Sequence, residues 1–221
     1  MNAFDMVGPI MTGPSSSHTA GALRLGRVAR MLLAEEPVRA EITLHDSFAA
    51  TGKGHGTDRA ILAGLLGLET DDVRVRTAYA LADSVGLSYS FDTRTGSGGH
   101  PNTADIVICG ADGRTVTLSG ASVGGGSIVV QRINGIPVDF TGELHTLIVV
   151  HRDKPGVVAQ VTQALAARGI NIASMRLYRS ARGGQAIMVL ETDQPVEDGV
   201  AQSIRQVDGV AEAVILAAMG V

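Results

Sequence analysis

Cysteine occurs once in this chain of 221 residues, at Cys109. A single thiol makes no internal disulfide, no zinc ribbon and no iron–sulfur cluster ligated by the chain's own cysteines. Cys109 sits in ADIVICGADG, an apolar run before a turn, and this pattern predicts a packed strand residue. Lysine is nearly absent too, with only Lys53 and Lys154. A pyridoxal phosphate enzyme needs a Schiff-base lysine, and Lys53 would have to serve in a domain short for such an enzyme. No run of Lys or Arg occurs. The 18 basic and 22 acidic residues are interspersed and give a formal net charge of −4, so the footprint of a nucleic-acid or anionic-membrane binder is missing. No segment reaches the roughly 18 apolar residues of a membrane helix. The opening MNAFDMVGPIM lacks the charged, apolar and small-residue regions of a secretory signal, so a cytoplasmic protein is expected. The expected partner is a small molecule or another protein.

What the chain does have is apolar bulk and glycine. With 45% hydrophobic residues it can build one large core or two smaller ones. The pattern changes near residue 143, across the seam IPVDFTGELH, and predicts domains at 1–142 and 143–221. In the C-terminal part LHTLIVVH reads as a strand. Pro155 fits a first helical turn, and VVAQVTQALAARG then places Val158, Val161, Ala164 and Leu165 on one face. INIASMRLYRS and QAIMVLETD, joined at Arg182-Gly183-Gly184, read as an antiparallel pair. A second helix opens at Pro195, and GVAEAVIL closes a ferredoxin-like βαββαβ order. DKPG at the strand-to-helix turn and GINI after the helix resemble the ACT domain, an amino-acid-sensing module. The resemblance implies that Asp153, Gly156 and Asn171 lie near an effector and that the domain pairs with a second copy.

The N-terminal part is predicted to be mixed α/β. HTAGALRLGRVARMLL has Leu25, Val28, Leu32 and Leu33 near helical spacing, with Ser16 or Ser17 as the expected N-cap. VRAEITLHD alternates, placing Val38, Ala40, Ile42 and Leu44 on one face and Arg39, Glu41, Thr43 and His45 on the other. TDRAILAGLLG reads as a helix capped by Thr57 or Asp58. Strands are expected at GLSYSFD, ADIVIC, RTVTLSG and SIVVQRI.

Four glycine- and serine-rich segments lie between these elements: GPSSSHTAG, TGKGHGTD, GSGGHPNTAD and SVGGGSI. In the first, helix N–H groups after three hydroxyls suit a carboxylate. A serine-rich loop with one capping hydroxyl has the same composition. TGKGHGTD is read as a loop before a capped helix. It is close to a dinucleotide fingerprint but lacks the third glycine and the second strand, and Lys53 is misplaced for a P-loop. An imidazole on so bare a backbone suits proton abstraction near neutral pH, although a tight turn with a solvent-facing His55 fits the same letters. His100 and Asn102, and Ser122 with the amides that follow, offer further polar groups. His18, His45, His55 and His100 lack metal-ligand spacing, and no G-x-S-x-G marks a hydrolase.

Together FDMVGPIMTGPSSSHTAG, TGKGHGTD, HPNTAD and SVGGGS, followed by the ACT-like pattern, closely resemble the beta chain of the two-subunit, iron–sulfur-dependent L-serine dehydratases of bacteria. The resemblance implies a partner alpha chain rich in cysteine that carries a 4Fe–4S cluster, with potassium implied for some members. It implies His55 as the base that takes the α-proton of L-serine. Ser15, Ser16, Ser17, His18, Thr19, Lys53, Asn102, Ser122 and Gly124 would then hold the substrate. The N-terminal domain also looks like the allosteric substrate-binding domain of some phosphoglycerate dehydrogenases, and under that likeness the chain is a non-catalytic amino-acid-binding module.

Overall fold

The computed structural model describes residues 10–96 and 98–219. The chain separates into two compact units between Gly135 and Ile136.

In the first unit a wide π-type turn, Ser16–Gly21, runs into helix α1 (Ala22–Leu33). Strand β1 (Pro37–His45), helices α2 (Asp46–His55), α3 (Thr57–Leu65) and α4 (Ala78–Ser84), and strands β2 (Ser88–Arg94), β3 (Thr103–Gly110), β4 (Thr115–Gly124) and β5 (Ser127–Ile133) follow. The strands lie in the order β2-β1-β3-β4-β5. Strand β1 pairs parallel with β2 and antiparallel with β3, so the sheet is mixed. Alternation puts Ala40, Ile42 and Leu44 of β1, Ile106 and Ile108 of β3, and Val116 and Leu118 of β4 on one buried face. Helix α1 packs over that face with Leu25, Val28 and Leu32.

Glycines set how closely α1 approaches its neighbours. A β-carbon on Gly64 of α3 would lie 2.0 Å from the Leu23 carbonyl oxygen, and one on Gly26 would lie 2.3 Å from that of Ile61. Toward the sheet, a β-carbon on Gly21 would lie 2.0 Å from the Ser122 Oγ, and one on Gly120 would lie 2.6 Å from the Leu25 Cδ2. At Gly26 and Gly64, where the opposing atoms are backbone, no larger residue fits unless the helices separate.

Several local expectations are corrected. A register shift between Pro37 and Arg39 turns Pro37 inward and leaves Val38 44% exposed. His45, expected among the solvent-facing residues, is 7% exposed, and its Nε2 lies 2.8 Å from Asp105 Oδ2. Cys109 is half-buried on the sheet's other face. Its thiol lies 3.4 Å from the Thr115 hydroxyl, and the Thr115 contact and Arg39 hold its pKa below the usual thiol range.

The second unit holds β6 (Ile136–Phe140), β7 (His145–Arg152), α5 (Val157–Ala166), β8 (Ile172–Arg179), β9 (Gln185–Thr192), α6 (Asp198–Arg205) and β10 (Val210–Leu216). Four of its strands form an antiparallel sheet in the order β10-β7-β9-β8, the ferredoxin-like βαββαβ arrangement. Leu147, Val149, Met188 and Leu190 of the sheet close one core with Val157, Val161 and Leu165 of α5 and Val200 and Ile204 of α6. Burial of each such side chain contributes about 1.5–3 kcal/mol. Gly156 enters α5 at φ 92, a left-handed conformation that favours glycine.

Candidate functional site

The site is built where α1 and α3 begin. Ser15, in extended backbone, caps the π-type turn by accepting a hydrogen bond from the His18 N–H at 3.2 Å. The cap is therefore Ser15 rather than Ser16 or Ser17, whose hydroxyls make no hydrogen bond among the described residues. The turn wraps the His18 ring back onto its own start: Nδ1 lies 3.4 Å from Ser15 Oγ and Nε2 lies 3.2 Å from Ser47 Oγ. Phe48, fully buried, meets the ring edge-on at a centroid distance of 5.4 Å. Burial, and then the nearby His55, hold the His18 pKa below its usual value.

TGKGHGTD is not the loop its composition suggests. Residues through His55 are helical, the last turns of α2, and the chain breaks only at Gly56, which takes φ 69 and donates its N–H to the Gly52 carbonyl. Gly56 also stands at the N-cap of α3, and neither Thr57 nor Asp58 caps that helix. Instead Asp58 accepts from the Tyr79 hydroxyl at 2.6 Å and the Arg59 N–H at 2.8 Å. The sharp junction leaves His55 at a helix end, its ring centroid 5.0 Å from that of His18. The Thr19 hydroxyl donates to the His55 carbonyl at 3.2 Å, and the His55 Nδ1 is buried with no hydrogen-bond partner among the described residues.

Two other predicted segments join this cluster. Ser47 N–H donates to the Pro101 carbonyl at 2.9 Å, and Ser122 N–H donates to the Asn102 carbonyl at 3.0 Å. Asn102 Nδ2 reaches the Ser122 carbonyl at 3.5 Å, while its Oδ1 and the Ser122 Oγ are buried with no partner among the described residues. Ser15, His18, Thr19, His55, Asn102 and Ser122 are thus linked through short contacts, with Ser47 as the bridge. Lys53 is exposed on α2, and Gly124 lies in the β4–β5 hairpin at φ 108 with open space around it. No contact ties either of them to the cluster among the described residues. SVGGGSI presents a carbonyl as well as amides, for the Gly126 oxygen accepts from the buried Arg24 guanidinium at 2.8 Å.

A cavity of about 590 Å³ opens beside His55, bounded by Thr12, Gly13, Thr19, Gly56, Arg59 and Arg76 among others. Sequence reasoning did not find Ser47, Arg59 or Arg76. Ser47 sits at the strand-to-helix junction and no spacing pattern singles it out; the DR pair after TGKGHGT was the available signal for Arg59.

In the second unit Asp153 accepts from the Gly183 N–H at 3.0 Å and from Arg179 at 3.1 Å, next to Gly156. Asn171 lies beyond the far end of α5, donating to Asp193 at 2.6 Å. That helix is roughly 15 Å long, so the three predicted effector positions do not share one pocket within a single copy. Asn171 borders its own shallow cavity with Ala159, Thr162 and Ile172.

Among the described residues no three of His, Cys, Asp and Glu converge as metal ligands. The thiol of Cys109 lies 3.4 Å from the Thr115 hydroxyl and 3.5 Å from the Arg39 guanidinium. No helix among them is long and apolar enough to cross a membrane.

Residues 2–90 match the family model described as serine dehydratase beta chain, and residues 145–209 match the ACT domain. A probable L-serine dehydratase beta chain of Bacillus subtilis is 41% identical over 211 residues, 96% of each chain. The chain belongs to the L-serine dehydratase beta-chain family. The L-serine dehydratase beta chain of Peptoniphilus asaccharolyticus is 38% identical over 208 residues, 94% of each. A D-3-phosphoglycerate dehydrogenase of Bacillus subtilis is 28% identical over 174 residues, 78% of this chain and 33% of that one.

Proposed function

We propose that this chain, a beta chain of the L-serine dehydratase family and so a subunit of a lyase, supplies the base and the substrate-holding groups of a site that an alpha chain completes. The beta-chain designation of its relatives implies that partner. The observation that carries the reading is the His18–His55 pair, with ring centroids 5.0 Å apart and His55 bordering a cavity.

L-Serine loses its α-proton and its β-hydroxyl to give aminoacrylate, which tautomerises and is hydrolysed to pyruvate and ammonia. His55 takes the α-proton, because its imidazole is held at a helix end beside open space. His18, kept neutral by burial and bonded on both nitrogens, fixes the Ser15 and Ser47 hydroxyls rather than moving a proton. Ser15, Ser16, Ser17, Thr19, Asn102 and Ser122 form the polar wall against which the substrate lies. On a cysteine-rich alpha chain, a 4Fe–4S cluster would supply Lewis-acid chemistry for loss of the β-hydroxyl. In the ACT domain, Asp153, Gly156 and Asn171 are the proposed effector positions, drawn from two copies because one copy separates them.

The test is reconstitution with the alpha chain and iron under argon, measuring pyruvate from L-serine. His55→Ala is expected to lower kcat by roughly a hundredfold or more, as loss of a general base does. A change below about threefold removes His55 from that role. The similarity to D-3-phosphoglycerate dehydrogenase favours a second reading, a regulatory amino-acid-binding module. Under it, turnover of any associated enzyme survives His55→Ala.

A further inference from the structure

Two arginines, Arg59 and Arg76, border the cavity beside His55. Arg59 stands in the first turn of α3, and its guanidinium lies over the backbone of Gly56, where a β-carbon would come within 3.2 Å of Nη2 and 3.4 Å of Nε. Gly56 takes φ 69, a left-handed conformation that favours glycine, and its bare backbone faces the guanidinium. Arg76, exposed, borders the same cavity. Among the described residues neither guanidinium makes a hydrogen bond or an ion pair. The acids closest in sequence are engaged elsewhere: Asp58 by Tyr79, Asp72 by Arg74 at 2.6 Å, and Glu69 by Arg27. Asp71 is exposed, with its carbonyl accepting from the Thr12 hydroxyl at 3.1 Å. The rest of the lining mixes the apolar Met11, Pro14 and Val75 with the small Thr12, Gly13 and Thr19, and leaves room for a ligand of a few heavy atoms.

A planar fork of N–H donors beside a base matches a carboxylate, which accepts two parallel hydrogen bonds. We infer that this cavity is a carboxylate pocket, in which Arg59, with Arg76, holds the α-carboxylate of the amino-acid substrate. The inference rests on the reading of the chain as the proton-abstracting half of an L-serine dehydratase. It gives that reading an orientation. With the carboxylate on Arg59, the α-carbon is turned toward His55, one residue beyond Gly56, and the β-hydroxyl points away toward the partner chain.

The test uses the reconstituted two-chain enzyme with L-serine and with L-serinamide, in which the carboxylate is replaced by a neutral amide. Arg59→Gln is expected to raise KM for L-serine roughly tenfold to a hundredfold, the loss of one charge-assisted pair. The preference for L-serine over L-serinamide should fall by a similar factor, and Arg59→Lys, which keeps the charge but not the fork, should fall between. A KM within twofold of the unaltered enzyme, in a preparation where His55→Ala is inactive, overturns the pocket while leaving the base in place. If the unaltered pair forms no pyruvate, the dehydratase reading fails, and the pocket is decided separately. Pyruvate titrated into the chain should shift the Arg59 Nε–H resonance saturably; an unmoved resonance overturns the inference by itself.

Discussion

Gly26 and Gly64 meet at the crossing of α1 and α3, so closely that a β-carbon on Gly64 would lie 3.0 Å from the Gly26 Cα. That contact is remote from any candidate catalytic atom, yet it sets the site. His18 lies in the π-type turn that runs into α1, and His55 ends α2 just before Gly56, the α3 N-cap, so the spacing of α1 and α3 bears on the spacing of the two imidazoles.

Gly64→Ala should therefore disturb both stability and geometry. Overpacking of this kind costs about 1–3 kcal/mol, visible as a lower urea midpoint with little change in slope. Because the added methyl faces the Leu23 carbonyl at 2.0 Å, the helices must part. Turnover should fall along with stability, and a fully stable Gly64→Ala chain would contradict the crossing described.

Ser122→Ala separates packing from binding. The hydroxyl is buried against Gly21 with no partner among the described residues, so removing it relieves an unsatisfied group rather than breaking a bond. Stability should be unchanged within about 0.5 kcal/mol or should rise. A rise in KM for L-serine without loss of stability would then report a substrate contact at this hydroxyl. A destabilised variant would show instead that the hydroxyl holds the fold.

His18 predicts a pH dependence of stability. Its folded-state pKa is lowered, first by burial and then by His55, so the unfolded chain takes up the proton first as pH falls. The stability present above the ordinary imidazole value of about 6.5 is lost as pH drops below it, until the folded-state pKa is reached. Replacing His18 with Asn should flatten the urea-midpoint profile just below about pH 6.5, the ordinary imidazole value. Parallel profiles for the two chains would remove His18 as the cause.

Much of this architecture was legible in the letters. The alternation of Ala40, Ile42 and Leu44, the helical stripe of Leu25, Val28 and Leu32, and the βαββαβ order with DKPG at its first turn all follow from local periodicity, which needs only a few residues of context. The errors lie where two elements share one short segment. TGKGHGTD carries the composition of a loop, yet its first glycines sit inside α2, because helix geometry tolerates glycine at a modest cost when neighbouring turns pack. Val38 turned outward and Pro37 inward through a single register shift, which no alternation rule anticipates. Ser47 stayed hidden because its role comes from meeting His18 across 29 positions of sequence.

The sequence by itself determined the elements, the two-part organisation and the family, since these rest on pattern and on motifs whose letters stand side by side. Only the tertiary structure decided which polar groups come together. His18 and His55 become neighbours because glycine crossings let two helices approach to backbone contact. Arg59 joins them because the left-handed turn at Gly56 leaves space above the chain for its guanidinium. Such approaches are properties of surfaces brought together by the fold, and a linear pattern does not encode them.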